Sequence, residues 1–307
     1  MRRHAFRAMG TEISVLLDDE TTAAAGDRAI GAVADIFAAE EQRCSRFRPD
    51  SELSMVNASA GSTITVSAPL ADLLRFSLRQ AAESAGLFDP TVLGAVVAAG
   101  YDRDFDEVIA GARDRLHPPV ACGRWGEVEL QGRELRLPRG VGVDLGGVAK
   151  GWTVDLAAVA AVAEGVRWVV VNAGGDLRVA GDAPPVEVAI DDPAERGSSI
   201  ARLSVAAGAV ATSSTARRAW GPGARLTTSW ARTAIAPRSC SRRACPSCVT
   251  TFVLRACAHG SGWSSSGSQP TSGPIAPLRC LTISSARAPS CKASPKTNSG
   301  SERGRAG

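Results

Sequence analysis

Acidic residues all but vanish from this chain after position 220: of 31 Asp and Glu, only Glu302 lies beyond it. Residues 1–220 carry 30 acids against 23 Lys and Arg, a net −7, whereas residues 221–307 carry one acid against 12 bases, a net +11. Cysteine is scarce where acids are plentiful. Only Cys44 and Cys122 stand in the first 220 residues, and six more crowd the remainder. Two thiols in so long a stretch exclude a disulfide scaffold and suit a reduced, intracellular body. Long apolar runs are missing too: nothing approaches the ~20 residues of a membrane span. The basic start Met1-Arg2-Arg3-His4-Ala5-Phe6-Arg7 meets no hydrophobic core of a signal peptide. The expectation is a soluble, cytoplasmic protein with no membrane anchor. Histidine is rarest of all. His4, His117 and His259 are scattered, in no metal or triad spacing, which removes support for a Ser-His-Asp or Cys-His hydrolase. No G-x-x-x-x-G-K-[ST] occurs, which argues against a P-loop nucleotidase.

What is present suffices for a core. With 44% apolar residues, 307 positions can hold one large or two ordinary domains. Thr11 to Leu17 alternates as a strand, and Thr21 to Cys44 carries Ile30, Val33, Ile36 and Phe37 at helical spacing. Asp50 or Ser51 is placed to cap a short helix after a loop. Thr63 to Val66 reads as a strand, Ala68 to Ala85 as a long helix closed at Gly86, and Val128 to Leu137 as a hairpin turning at Gly132. Arg167 to Val171 reads as a buried strand, with further strands at Val186 to Ile190 and Ala209 to Thr212. Helices and strands mix without a steady βα repeat, so a mixed α/β or α+β domain is expected rather than a doubly wound one.

Three runs carry chemistry. Val143-Asp144-Leu145-Gly146-Gly147-Val148-Ala149-Lys150-Gly151 puts a carboxylate, paired glycines and a lysine at what reads as a strand-to-helix junction. Glycines let backbone approach a bulky anion, the helix start carries partial positive charge, and Lys150 adds a point charge. Alone, the run also reads as a Gly-rich turn with a surface lysine. Asn172-Ala173-Gly174-Gly175-Asp176 is a second glycine turn at a strand's C-terminal end, where open sheets place ligands, or an ordinary tight turn. Thr212-Ser213-Ser214-Thr215 offers hydroxyls for phosphate or ribose, or is a solvated loop or helix cap.

In order, Met9-Gly10-Thr11, Arg46-Phe47-Arg48-x-x-Ser51-x-Leu53-Ser54-x-x-Asn57, Gly86-x-Phe88-Asp89-x-Thr91-Val92, the Val143–Gly151 run, Asn172–Asp176 and Ala211-Thr212-Ser213-Ser214 resemble the ApbE-like FAD:protein FMN transferases. The resemblance spans residues 5 to about 220. It implies a single T-fold-like α+β domain with mixed sheets and packed helices. It also implies an enzyme that binds FAD and Mg²⁺, cleaves the pyrophosphate, and attaches FMN through a phosphoester to a Thr or Ser of an acceptor flavoprotein. By matching position, Met9, Phe47, Leu87, Phe88 and Asp89 would line the FAD site. Asp144 and Lys150 would contact the dinucleotide, and Gly147 would offer its carbonyl to the metal.

After Trp220 the resemblance stops. The family pattern continues with a strand of the type H-H-L-[IV]-D-P-x-T-G and then an Asp and a Thr or Ser that complete the Mg²⁺ site, none of which is present, so no catalytic residue is assigned. Writing Arg225 to Ala234 with G/C-ending codons gives CGG CTC ACC ACC TCG TGG GCC CGG ACG GCG. Read one nucleotide before the Leu226 codon, these bases spell Ala-His-His-Leu-Val-Gly-Pro-Asp-Gly. A shift of frame between about Arg217 and Arg225 accounts together for the lost acids, the Cys and Ser excess and the missing motif. The competing readings are a zinc site from Cys240, Cys245, Cys248, Cys257 and His259, which has one C-x-x-C and no second knuckle, and a basic nucleic-acid-binding tail, whose Arg residues are dispersed. The expected organisation is therefore a transferase-like domain over 1–220, incomplete at its C-terminal end, and a low-complexity tail over 221–307, disordered or out of frame, with no nucleic-acid partner.

Overall fold

The structure is a computed structural model; it describes residues 1–110, 120, 122–192, 195, 197–214 and 219–220, with strand segments at 226–227, 249–254 and 280–283. The N-terminal half contains β1 (Arg2–Ala8), β2 (Thr11–Leu17), α1 (Ala23–Cys44), α2 (Glu52–Ala58), β3 (Thr63–Thr65), α3 (Ala68–Glu83), α4 (Leu93–Ala98) and α5 (Phe105–Ala110). There follow β4 (Glu129–Gln131), β5 (Glu134–Arg136), α6 (Ala149–Ala163), β6 (Trp168–Ala173), β7 (Asp176–Gly181), β8 (Val186–Asp191), β9 (Ser199–Val205), β10 (Gly208–Ser214), β11 (Ala219–Trp220), β12 (Leu226–Thr227), β13 (Val249–Leu254) and β14 (Cys280–Ile283).

The frame is a seven-stranded sheet in the order β1-β2-β6-β7-β10-β13-β14. Every neighbouring pair in it is antiparallel. Strand β6 shows how it is covered. Val169, Val171 and Ala173 face α1 and α6, packing with Val33, Phe37, Ala157 and Ala161. Trp168 and Val170 face the other way, onto Ile190 and Val205 of the β8–β9 hairpin. A strand buried on both faces reads as a continuous apolar run, as Arg167 to Val171 does. Helix α1 forms where the 3.6-residue spacing of Ala29, Val33 and Phe37 buries one stripe completely, and the Thr22 hydroxyl caps it by accepting from the Ala25 amide.

A second core lies beneath α2 and α3, where Leu53, Leu70, Leu74, Leu135 and Leu145 pack together. The small sheet β3-β5-β4 closes it, with Gly132 in the β4–β5 turn as expected. Of the two proposed caps, Ser51 is the one used: its hydroxyl accepts from the Ser54 amide at 3.0 Å and starts α2.

Three expectations are corrected. Strand β1 forms where only a basic start was read; pairing with β2 through a two-residue turn stabilises it. Val143 and Asp144 do not lie in a strand. Their backbone is satisfied without a ladder, since the Asn57 side-chain amide accepts from Val143 N at 2.7 Å and donates to Val143 O at 2.9 Å, and Pro90 O accepts from Asp144 N at 2.8 Å. Strand β10 includes Thr212 as expected and runs on through Ser213 and Ser214, which therefore belong to the strand rather than to a loop or helix cap. In the tail, the apolar and β-branched run Val249–Leu254 pairs with β10, and β14 pairs with β13. Cys240, Cys245, Cys248, Cys257 and His259 lie outside the described residues, as does His117.

Candidate functional site

Where the two cores meet, a cleft of about 1020 Å³ opens between the β1–β2 turn, the loop after α1, the start of α6 and the β6–β7 turn. The β1–β2 turn is tight because Ala8 and Thr11 are paired, leaving Met9 and Gly10 as its two central residues. Both have positive φ, 49° and 66°, as a hairpin matching the sheet's twist requires. Methionine in that conformation is strained; its side chain packs against both cores and reaches the cleft. The β6–β7 turn abuts it. A Cβ on Gly174, whose φ is +61°, would sit 2.4 Å from the Thr11 hydroxyl, so no side chain fits there. The Asn172 side chain accepts from Gly175 N at 3.1 Å, holding the turn, and Gly175 O accepts from Thr212 N at 3.0 Å, tying the turn to β10. These glycines join antiparallel strands, so the ligand-placing rule for parallel sheets does not apply to them.

On the opposite wall, Arg46 and Asp144 form an ion pair, Nε to Oδ2 at 3.2 Å, with only 7% and 15% of their side chains exposed. The Arg46 guanidinium lies 4.2 Å from the Phe47 ring centre and 4.5 Å from that of Tyr101. Tyr101 in turn contacts Phe105 and Trp220. The second oxygen of Asp144 accepts from Gly146 N at 2.7 Å. Lys150 Nζ reaches Gly146 O at 3.4 Å from the first turn of α6, a helix with no side-chain cap at Val148 and no acid in that turn.

Of the residues proposed from sequence, Met9, Phe47, Phe88, Asp89, Asp144, Gly147 and Lys150 all line this cleft. Leu87 does not; it is 66% exposed, beside the cleft rather than on it. Asp89 is buried and occupied. Its Oδ1 accepts from the amide and hydroxyl of Thr91 at 2.7 and 2.5 Å, and its Oδ2 from Gly123 N at 2.6 Å. It therefore pins the segment at 122–124 to the wall. Arg46 and Tyr101 belong to the site without a sequence signal that marks them. Arg46 stands inside a quoted motif, but nothing in its spacing indicates that it pairs with Asp144, 98 positions away.

The cleft also holds thiol chemistry down. Burial, reinforced by Glu40, pushes the Cys44 thiol up from 9.0 to about 12, and burial with Asp89 nearby raises Cys122. Neither is poised as a nucleophile. For Mg²⁺, the exposed Gly147 carbonyl is a suitable hard donor. Both Asp144 oxygens are already engaged, however, and among the described residues no three His, Cys, Asp or Glu gather to hold a metal. The described residues do not complete an Mg²⁺ site. No described helix is long and apolar enough to cross a membrane.

The ApbE family model matches residues 9–240. An FAD:protein FMN transferase of Rhodobacter capsulatus is 38% identical over 154 residues, covering 48% of this chain and 29% of that protein. One of Vibrio cholerae serotype O1 is 28% identical over 155 residues, covering 48% of this chain and 46% of its own length. The chain thus spans less than half the length of these curated relatives. The crystal structure of the ApbE protein of Thermotoga maritima superposes with a TM-score of 0.66 at 20% identity, over 82% of this chain and 81% of that one, which establishes the same α+β fold. With the family model matched across both cores and every wall of the cleft, the chain belongs to the ApbE family.

Proposed function

We propose that the cleft binds FAD and that the protein transfers its FMN half to a Thr or Ser hydroxyl of an acceptor protein, releasing AMP. The convergence of Met9, Phe47, Phe88, Asp144 and Lys150, drawn from four separate segments, on one cleft of about 1020 Å³ carries this reading; that volume suits a ligand larger than a mononucleotide. The names of the two curated relatives support it. In the reaction the acceptor oxygen bonds to the FMN phosphorus, the bond from that phosphorus to the bridging oxygen breaks, and AMP leaves with that oxygen. The hydroxyl proton passes to solvent.

The residues present bind and orient. Phe47, 36% exposed over the Arg46 cation, offers a ring face for stacking. The start of α6 with Lys150 favours the pyrophosphate. Mg²⁺ dependence is what the resemblance implies, and Gly147 on the cleft would offer the metal its carbonyl. Incubation with FAD, Mg²⁺ and a Thr-bearing acceptor, followed by mass measurement of the acceptor, should show one added FMN.

A second reading is an FAD-binding protein without transfer activity. The missing His-containing strand and the incomplete metal donor set favour it. Retained FAD binding with no mass added to the acceptor would establish it. The same proposal treats 221–307 as out of frame, and coding DNA across codons 215 to 235 that lacks two adjacent His codons in the shifted frame ends that idea. Cys44 and Cys122 are free thiols, in keeping with a cytoplasmic location, which cell fractionation tests.

A further inference from the structure

Arginine 46 has a nitrogen that the fold leaves unused. Its Nε faces Asp144 at 3.2 Å, while its Nη2 is buried and has no hydrogen-bond partner. The side chain is 7% exposed, it lines the cleft, and the rings of Phe47 and Tyr101 flank the guanidinium. Buried donors are nearly always paired, so one that is not calls for an acceptor the structure does not contain. Its surroundings indicate the acceptor's charge. Asp144 has both oxygens engaged, by Arg46 and by Gly146 N, and the same segment leads into α6, which has no side-chain cap, no acid in its first turn, and Lys150 there instead.

We infer that Arg46 is a phosphate-binding residue of the cleft, donating through Nη2 to a pyrophosphate oxygen of the dinucleotide, and that Asp144 is its positioning residue rather than a direct ligand contact. This rests on the dinucleotide reading above and refines it. Guanidinium groups suit phosphate because their planar fork matches two oxygens. Asp144 fixes the direction of that fork.

The test compares wild type, R46K and R46Q by calorimetric titration with FAD, riboflavin and inorganic pyrophosphate, beside their melting temperatures. R46K keeps the cation, and so is the variant expected to fold if R46Q does not. The expected result is that R46K binds FAD and pyrophosphate about tenfold more weakly, with riboflavin affinity changed less than about twofold. D144N should weaken FAD in wild type and add little in R46K, because it acts through Arg46. Equal losses for FAD and riboflavin, or no loss for either, overturn the inference. If wild type binds pyrophosphate in an Arg46-dependent way but not FAD, the inference about Arg46 stands and the flavin reading falls. If it binds neither, both fall.

Discussion

The helix-covered face of the large sheet and the cleft wall are built on opposite terms. Under α1 and α6, Ile13, Val15, Val33, Phe37, Val169 and Val171 are wholly apolar and none is exposed. Around the cleft, by contrast, the chain keeps a buried ion pair, an unpartnered guanidinium nitrogen and a methionine at positive φ. The first region lowers the free energy of the fold. The second raises it, and such costs persist where a ligand is to be met. Damage to the first should therefore appear as lost stability, and damage to the second as lost binding.

The strongest break is Phe37→Ala. It empties the centre of the helix face, where Phe6 packs edge-on against the ring, and should cost about 3–5 kcal/mol in chemical denaturation, with FAD affinity unchanged in whatever fraction stays folded. Asn57→Ala tests the seam between the regions. It leaves the N–H and C=O of Val143 without their partners, costing about 2–3 kcal/mol, and should also weaken FAD binding by loosening the Asp144 run.

Gly174→Ala and Gly132→Ala sharpen the contrast, since both residues have φ near +60°. Nothing lies within 4 Å of a Cβ at Gly132, whereas at Gly174 it would strike Thr11. Each should lose about 1–2 kcal/mol from backbone strain, and only Gly174→Ala should lower FAD affinity. Near neutral pH the smallest effect is the one from Cys44, which grows only in alkali. Its thiol holds its proton up to about 12 in the fold against 9.0 when unconstrained. That contribution to stability is fully present below about pH 9 and is lost as pH climbs from there towards 12. Alkylation mapped by mass spectrometry at pH 8 should find Cys44 unmodified until denaturant is added.

Particular residues show what could be read in advance. The α1 stripe was legible because Val33 and Phe37 repeat at helical spacing, and β6 because five consecutive residues from Arg167 include four apolar ones. The Ser51 cap, the Gly132 turn and the Gly86 closure of α3 were equally local. The error at Val143 has a clear cause. An apolar residue before Asp looks like a strand end, but its hydrogen-bonding partner is the side chain of Asn57, 86 positions earlier, and no local pattern encodes that. Leu87 follows its neighbours in sequence, yet the turn after α3 leaves it exposed while Phe88 and Asp89 reach the cleft.

By itself the sequence determined the family, through six ordered motifs, and the positions of the main helices and strands, because periodicity, caps and turns are short-range properties of the chain. Tertiary structure alone decided that Asp144 belongs to Arg46, that Asp89 is spent on backbone amides at 91 and 123, and that Thr11 and Gly174 meet across two hairpins. Those pairings depend on which distant segments share one cleft, and that follows from how the two cores pack.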